Sequence, residues 1–306
     1  MIGIDEFLVI CFEDYMYIGP HKPDTKFYRG NLHGHSTHSD GAKTPAEVAT
    51  FYKKLGYDFI SISDHLWQDP SFAASTVLDT TALASSDFTT IIGAELHARG
   101  KKYDKEGLWH IVANGLPLAS EQETGPELIE RAKASGAYVT LAHPEWHCLT
   151  MNEAFAACNV DGVEIYDHSS AIESDRGSGV AIADFLLNEG KNISFTATDD
   201  SHLRIDDAAG GWVMVAAETN TLADIIFALK QGRHYSTTGP EIKAVALDGD
   251  LLSVSCSPAS HVIVAGSGYM STSAHGLNMT HAQLDISDYE GDYIRIAIYD
   301  AAGGKA

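Results

Sequence analysis

Between residues 28 and 231, short apolar runs rich in β-formers alternate with stretches of helical periodicity. Residues 30–35 read as a strand. Thr44-Pro45-Ala46-Glu47 then has the features of a helix start, with Thr44 as the cap, Pro45 in the first helical position and Glu47 placed to bond back to the cap. That helix is expected to run to about Leu55, where Gly56 closes it. Further strands are expected over 58–63, 89–96, 108–116, 137–142, 162–166, 193–198 and 211–217, and further helices around 126–135, 180–188 and 222–231. Strands separated by helices at this spacing imply parallel βαβ units. Seven or so units in a segment of this length point to a closed barrel. An open, doubly wound sheet is the alternative.

From about Pro240 the pattern changes. Residues 242–252, 260–266, 279–286 and 292–299 read as short strands joined by Gly, Ser and Asp turns, with no helical pattern between them. The expected organisation is an N-terminal extension over 1–27, an α/β barrel over 28–240 and a small antiparallel β-module over 241–306.

The 306 residues are 44% hydrophobic and 20% charged, which suits a globular domain with a substantial core. The net charge of -22 argues against non-specific nucleic-acid binding and against an anionic membrane surface. Any phosphate ester would need cations to offset this field locally. Cys11, Cys148, Cys158 and Cys256 form no Cys-x-x-Cys pair, so a thiolate zinc knot is not expected and the thiols read as reduced. The start of the chain carries Asp5 and Glu6 where a signal peptide would be basic, and no stretch approaches a membrane span. A cytoplasmic location is the expectation, while the oligomeric state is left open.

What gives the chain a chemistry is the placement of imidazoles and carboxylates. His33 and His35, two apart, leave the same face of the first strand, and Asp40 follows in a turn closed by Gly41. Alone, that pair carries as little weight as any His-x-His. The later strands, however, end in Ser63-Asp64-His65, Glu95-Leu-His97, His110-Ile-Val, Ala142-His143-Pro144 and Asp199-Asp200-Ser201-His202. In a parallel barrel such ends converge on one face. A carboxylate at the end of an apolar run needs a partner, and a metal cluster accounts for the whole set at once.

These motifs, in this order and over about residues 28–240, resemble the PHP (polymerase and histidinol phosphatase) domain. Tyr28-Arg-Gly-Asn-Leu-His33 and Gly232-Arg-His-Tyr-Ser-Thr-Thr-Gly-Pro240, with the β-rich tail, look most like that family's carbaryl-hydrolase-like branch. The resemblance implies a distorted (β/α)7 barrel with a trinuclear centre of two or three divalent ions (Zn, Mn or Fe). It implies that His33, His35, Glu95 and Asp200 hold the first ion, Glu95 with His110 and His143 the second, and Asp40, His65 and His202 the third. An Asp at position 40, where some members have His, favours a harder ion there. Glu95, Asp200 and His202 are the expected catalytic residues. The expected activity is hydrolysis of a small organic phosphate or nucleotide by a metal-bridging hydroxide. A metallohydrolase of another ester, carbamate or amide is the alternative, and a metal-binding module without catalysis is the third reading.

His168, Arg176 and Arg204 are candidate substrate contacts, each equally readable as a surface group. His38, His97 and His147 are candidates for orienting ligands or touching substrate, against the reading of solvent-exposed loop histidines. The charged run 99–107 reads as a solvated loop, with a mobile lid as the alternative.

Overall fold

The computed structural model describes residues 11–12, 15–67, 71–99, 108–115 and 123–306. In chain order, the first part contains β1 (Cys11–Phe12), β2 (Tyr15–Tyr17), β3 (Tyr28–Asn31), α1 (Pro45–Lys54), β4 (Phe59–Ile62) and β5 (His65–Leu66). Next come β6 (Thr89–Arg99), β7 (Leu108–Asn114), α2 (Gly125–Ala134), β8 (Tyr138–Leu141), α3 (Met151–Ala156), β9 (Gly162–Asp167) and α4 (His168–Ser174). The barrel ends with α5 (Val180–Asn188), β10 (Ser194–Thr198), β11 (Trp212–Val215), α6 (Leu222–Lys230) and β12 (His234–Thr237). Four long strands follow: β13 (Ile242–Asp248), β14 (Leu251–Gly266), β15 (Ser271–Asp285) and β16 (Ile294–Tyr299).

One sheet runs in the order β10-β9-β8-β7-β6-β4-β3-β11-β12, with β5 beside β6, and curls into a nearly closed barrel. The seam is bridged by side chains: Ser236 Oγ and His234 Nε2, on β12, lie 2.8 and 3.1 Å from the Phe195 carbonyl on β10. This is the expected distorted α/β barrel with a separate antiparallel sheet, not an open doubly wound sheet.

Two strands depart from the all-parallel expectation. β7 is antiparallel to both β6 and β8, and β11 is antiparallel to β3 and β12. For β7 the reason is the length of the connection. Only eight residues separate Arg99 from Leu108, whereas a parallel crossover needs about a dozen or more. The reversal puts the start of β7, not its end, at the mouth of the barrel, and His110 pairs directly with His97. The lid or loop considered over 99–107 lies almost wholly outside the described residues.

Local signals explain the helices. Thr44 accepts from the Glu47 amide while Glu47 accepts from the Thr44 amide, and α2 and α3 start with the same reciprocal pair at Thr124/Glu127 and Thr150/Glu153. The apolar faces of α2, α3 and α5 pack on β6–β9 through Leu128, Ile129, Ala154, Ile182 and Leu186. α1 covers β4 through Val48, Ala49 and Tyr52.

The second sheet has the order β1-β2-β13-β14-β15, with β16 on the far half of β14. β2 thus joins the C-terminal strands, pairing Tyr17 with Ala246. The expected strand over 242–252 is in fact the whole of β13 and the start of β14. Asp248-Gly249-Asp250 makes a hairpin, with Gly249 at φ +57°, the left-handed conformation that a short turn requires and glycine adopts freely. No described helix is long and apolar enough to cross a membrane.

Candidate metal centre

All nine expected ligands meet at one mouth of the barrel. His33 and His35 aim their Nε2 atoms at the same place. His33 Nε2 lies 3.5 Å from Glu95 Oε2 and 3.2 Å from Asp200 Oδ1, and His35 Nε2 lies 3.5 and 2.7 Å from the same two oxygens. The other Glu95 oxygen, Oε1, faces His110 Nδ1 at 2.6 Å and His143 Nε2 at 3.1 Å. Asp40 Oδ1 faces His65 Nε2 at 3.6 Å and His202 Nε2 at 3.4 Å, and the His35 ring is stacked between those two imidazoles. Glu95 therefore stands between the groups, Oε1 turned to the second and Oε2 to the first, with His65 Nδ1 of the third also 2.6 Å from Oε2.

The donors are aimed at shared points more than at one another. His33 Nε2 and Asp40 Oδ1 are buried with no hydrogen-bond partner, and Glu95 Oε2 makes no well-aligned one although His65 Nδ1 lies 2.6 Å away. Buried polar atoms left unpaired are costly and rare. Four donor atoms from His33, His35, Glu95 and Asp200 lie within 4.8 Å of one another, as do four from His35, Asp40, His65 and His202. Imidazole and carboxylate donors at such spacing suit zinc, iron or manganese.

A surrounding layer of acids holds the ligands in place, and the sequence reading assigned none of them. Glu164, on β9, accepts from His33 Nδ1 at 2.8 Å and from the His143 amide at 2.8 Å. The first bond fixes the His33 ring so that Nε2 points inward. Asp64 accepts four bonds from Ser36 and Ser39, both amides and both hydroxyls, at 2.6–3.2 Å, and so shapes the turn that carries Asp40. Asp199 accepts the amides of Ala209, Gly210 and Gly211 and the Tyr52 hydroxyl, which leaves Asp200 to face the cluster. Asp207 takes the amides of His202 and Leu203. Only Asp64 and Asp199 sit inside motifs visible in the sequence. Glu164 and Asp207 carry no signal of their own.

The charges settle one another. Burial alone would raise Glu95, but the His110, His65 and His33 imidazoles outweigh it and hold its carboxyl well below the usual range. Burial would lower His202, but the facing Asp40 carboxylate and the Asp200 charge raise it to about 9. For His35, burial and then the neighbouring His65 and His202 both act downward, so this ring is neutral and free to donate a lone pair.

The three candidate substrate contacts part company. Arg204 points at Asp40, with Nη2 bonded to its carbonyl and 3.5 Å from Oδ2. His168 bonds the Tyr166 hydroxyl at 2.9 Å, its ring packed under Gly210. Arg176 is exposed beyond α4. Of the other histidines, His38 bonds the Thr76 carbonyl, whereas His97 and His147 are drawn into the cluster. A cleft of about 110 Å³ opens onto His65, His110, His143, Asp200 and His202, walled by Trp146, Ser169, Ser170 and Glu173. A much larger open cavity, about 1600 Å³, lies at the junction of the barrel and the second sheet, and none of the nine ligands lines it. We place the chemistry in the small cleft, because the donors are there.

No family model matches the chain, and no curated protein does. Among solved structures, it resembles a two-domain protein from Bacteroides vulgatus containing a predicted PHP-like metal-dependent phosphoesterase. The identity is 16% and the TM-score 0.52, over 96% of this chain and 91% of that one. The fold is shared. A putative metal-dependent phosphoesterase from Bifidobacterium adolescentis (15% identity, TM-score 0.41, 59% of this chain and 89% of that one) is more distant. So is an amidohydrolase from Chromobacterium violaceum with bound sulfate and no metal (14%, 0.43, 67% and 97%). The last two matches carry no argument here.

Proposed function

We propose that the protein is a metal-dependent phosphoesterase of the PHP type, acting on a small organic phosphate or nucleotide. The observation that carries this reading is the division of Glu95 between two groups of imidazoles, with His33 Nε2 unpaired on one side and Oε1 shared by His110 and His143 on the other. His33, His35, Glu95 and Asp200 would hold one ion, Glu95, His110 and His143 a second, and Asp40, His65 and His202 a third, with zinc, manganese or iron as the candidates. Bound there, such ions would supply Lewis acidity and a nucleophile at neutral pH, and would offset the chain's negative field at the phosphoryl oxygens. Glu95 and Asp200 set the spacing of the groups. Glu164 keeps His33 in the tautomer that donates inward. His202, with a side chain 20% exposed, lies on the solvent side, where a leaving group would depart. Arg204 pairs with Asp40 of the third group at 3.5 Å.

A second reading has an observation of its own. The cleft walls carry Glu173 and no Lys or Arg among the described residues, which suits a substrate with less negative charge than a phosphomonoester. Hydrolysis of a carbamate, amide or other ester fits that wall, and the likeness of residues 28–33 and 232–240 to the carbaryl-hydrolase-like branch agrees with it. Protein loaded with manganese or zinc should be assayed against phosphomonoesters, phosphodiesters and aryl carbamates. Turnover of a phosphate ester that Glu95→Ala abolishes is expected. Turnover of carbamates alone would replace the first reading with the second.

A further inference from the structure

We infer that His147 is a fourth protein ligand of the second metal position, completing a set with Glu95, His110 and His143. The inference rests on the metal-centre reading above and adds a residue to it. His147 follows His143 by four residues across a run of turns: the Trp146 amide bonds the His143 carbonyl at 3.0 Å and the Leu149 amide bonds the Pro144 carbonyl at 3.0 Å. These turns fold the chain back so that the two imidazoles come together, 4.9 Å between ring centres. The chain then anchors the turn from outside, since Glu145 accepts the Ser178 amide at 2.7 Å.

The result is a cage. The His147 ring lies 4.5 Å from His110 and 4.9 Å from His143, centroid to centroid. One donor atom from each of His110, His143 and His147 lies within 4.8 Å of the other two. His147 Nε2 is buried with no hydrogen-bond partner. His97, the other histidine drawn into the cluster, also has a buried unpartnered nitrogen, Nδ1, but its Nε2 meets His65 Nδ1 at 2.9 Å, which ties it to the third group. A position with four protein donors is filled for tetrahedral zinc. An ion there would fix Glu95, and the open positions that a substrate needs would belong to the other two groups.

Cobalt substitution tests this without relying on turnover. The 306-residue chain is stripped, titrated with Co(II) and followed by metal analysis and visible absorption, with circular dichroism to check the fold. His147→Ala should weaken one class of cobalt ion by about 100-fold, at least the effect of losing a group that merely orients a ligand, and should diminish the tetrahedral absorption. Cys148 adjoins the position, so a second variant combines His147→Cys with Cys148→Ser. It should show a thiolate-to-cobalt charge-transfer band that Cys148→Ser alone lacks. A His147→Ala protein with wild-type cobalt number, affinity and spectrum overturns the inference. So does a folded, cobalt-loaded His147→Cys/Cys148→Ser protein without the band. A wild-type protein that takes up no cobalt overturns instead the metal-centre reading on which the inference stands.

Discussion

Asp64 touches no candidate metal position, yet its replacement should be among the most damaging single changes near the site. Its carboxylate is 4% exposed and accepts four bonds from Ser36 and Ser39. Asp64→Ala strands the Ser36 amide, whereas the Ser39 amide also has the Ser36 carbonyl at 3.2 Å and the two hydroxyls can rotate. A buried donor without a partner costs about 1–3 kcal/mol. Ser36 is fully buried, so the stranded amide, with the charged bonds that the hydroxyls lose, should cost about 2–3 kcal/mol. Asp64→Asn should cost much less. Oδ1 can keep its three bonds, and the new amide can donate to the Ser36 hydroxyl, which accepts equally well, so a loss of about 1 kcal/mol is expected. Urea unfolding of the two variants, with the slope m unchanged, measures the difference. Metal analysis should show the third position emptier in the Ala variant, since Asp40 rides on the same turn. Equal stability of Ala and Asn, or an Ala variant within about 0.5 kcal/mol of the wild type, would refute the idea that this carboxylate builds the turn.

Three further outcomes follow from neighbouring observations. Glu164→Gln breaks the tie between His33 and the His143 amide and should weaken metal binding by about 10–100-fold with little change in fold; competition with a chromophoric chelator reads this directly. Gly41→Ala places a methyl 2.7 Å from the His35 carbonyl and the Ser36 amide, so the backbone must move, and a loss of about 1–3 kcal/mol with a weakened third position is expected in unfolding and metal-content measurements. Burial lowers His234 from 6.5 to about 4; its folded value being the depressed one, the stability it leaves intact above pH 6.5 is lost as pH falls towards 4, by about 3 kcal/mol at the limit. A His234→Gln protein should show a shallower acid limb in stability against pH, and an unchanged limb would remove this residue from the account.

How much of this was legible in the sequence depends on the range of each interaction. Helix starts were readable because a capping pair spans three residues, as at Thr44 and Glu47. The ligands were readable because a barrel's connectivity sends strand ends to one face, whatever the side-chain detail. The direction of β7 was not read, although the short connection before it carried the signal. α4 was missed because its sequence, His168 to Ser174, has no apolar period, and its start depends on the Asp167 side chain accepting from the Ser170 amide. The acids around the ligands were out of reach for another reason. Glu164 meets His33 across 131 positions and Tyr52 meets Asp199 across 147, and no local pattern marks either partner.

Those long bonds also explain why the cluster behaves as one body. His143 and Asp200 both hold left-handed backbone, at φ +21° and +50°, which costs a residue with a side chain about 1–3 kcal/mol. The Glu164 carboxylate secures the His143 amide, and the His33 carbonyl secures the Asp200 amide at 3.0 Å. The same Glu164 also orients the His33 ring. A strained turn in one group is therefore held by a residue whose ring belongs to another. Glu95 adds the matching tie through its two oxygens. With the backbone of one group fixed by the side chains of the next, a displacement of His33 is also a displacement of Asp200 and, through Glu164, of His143. The spacing of the donors is thus a property of the whole barrel mouth, and strain at two of the ligands is the physical sign that their positions were set by what they hold together.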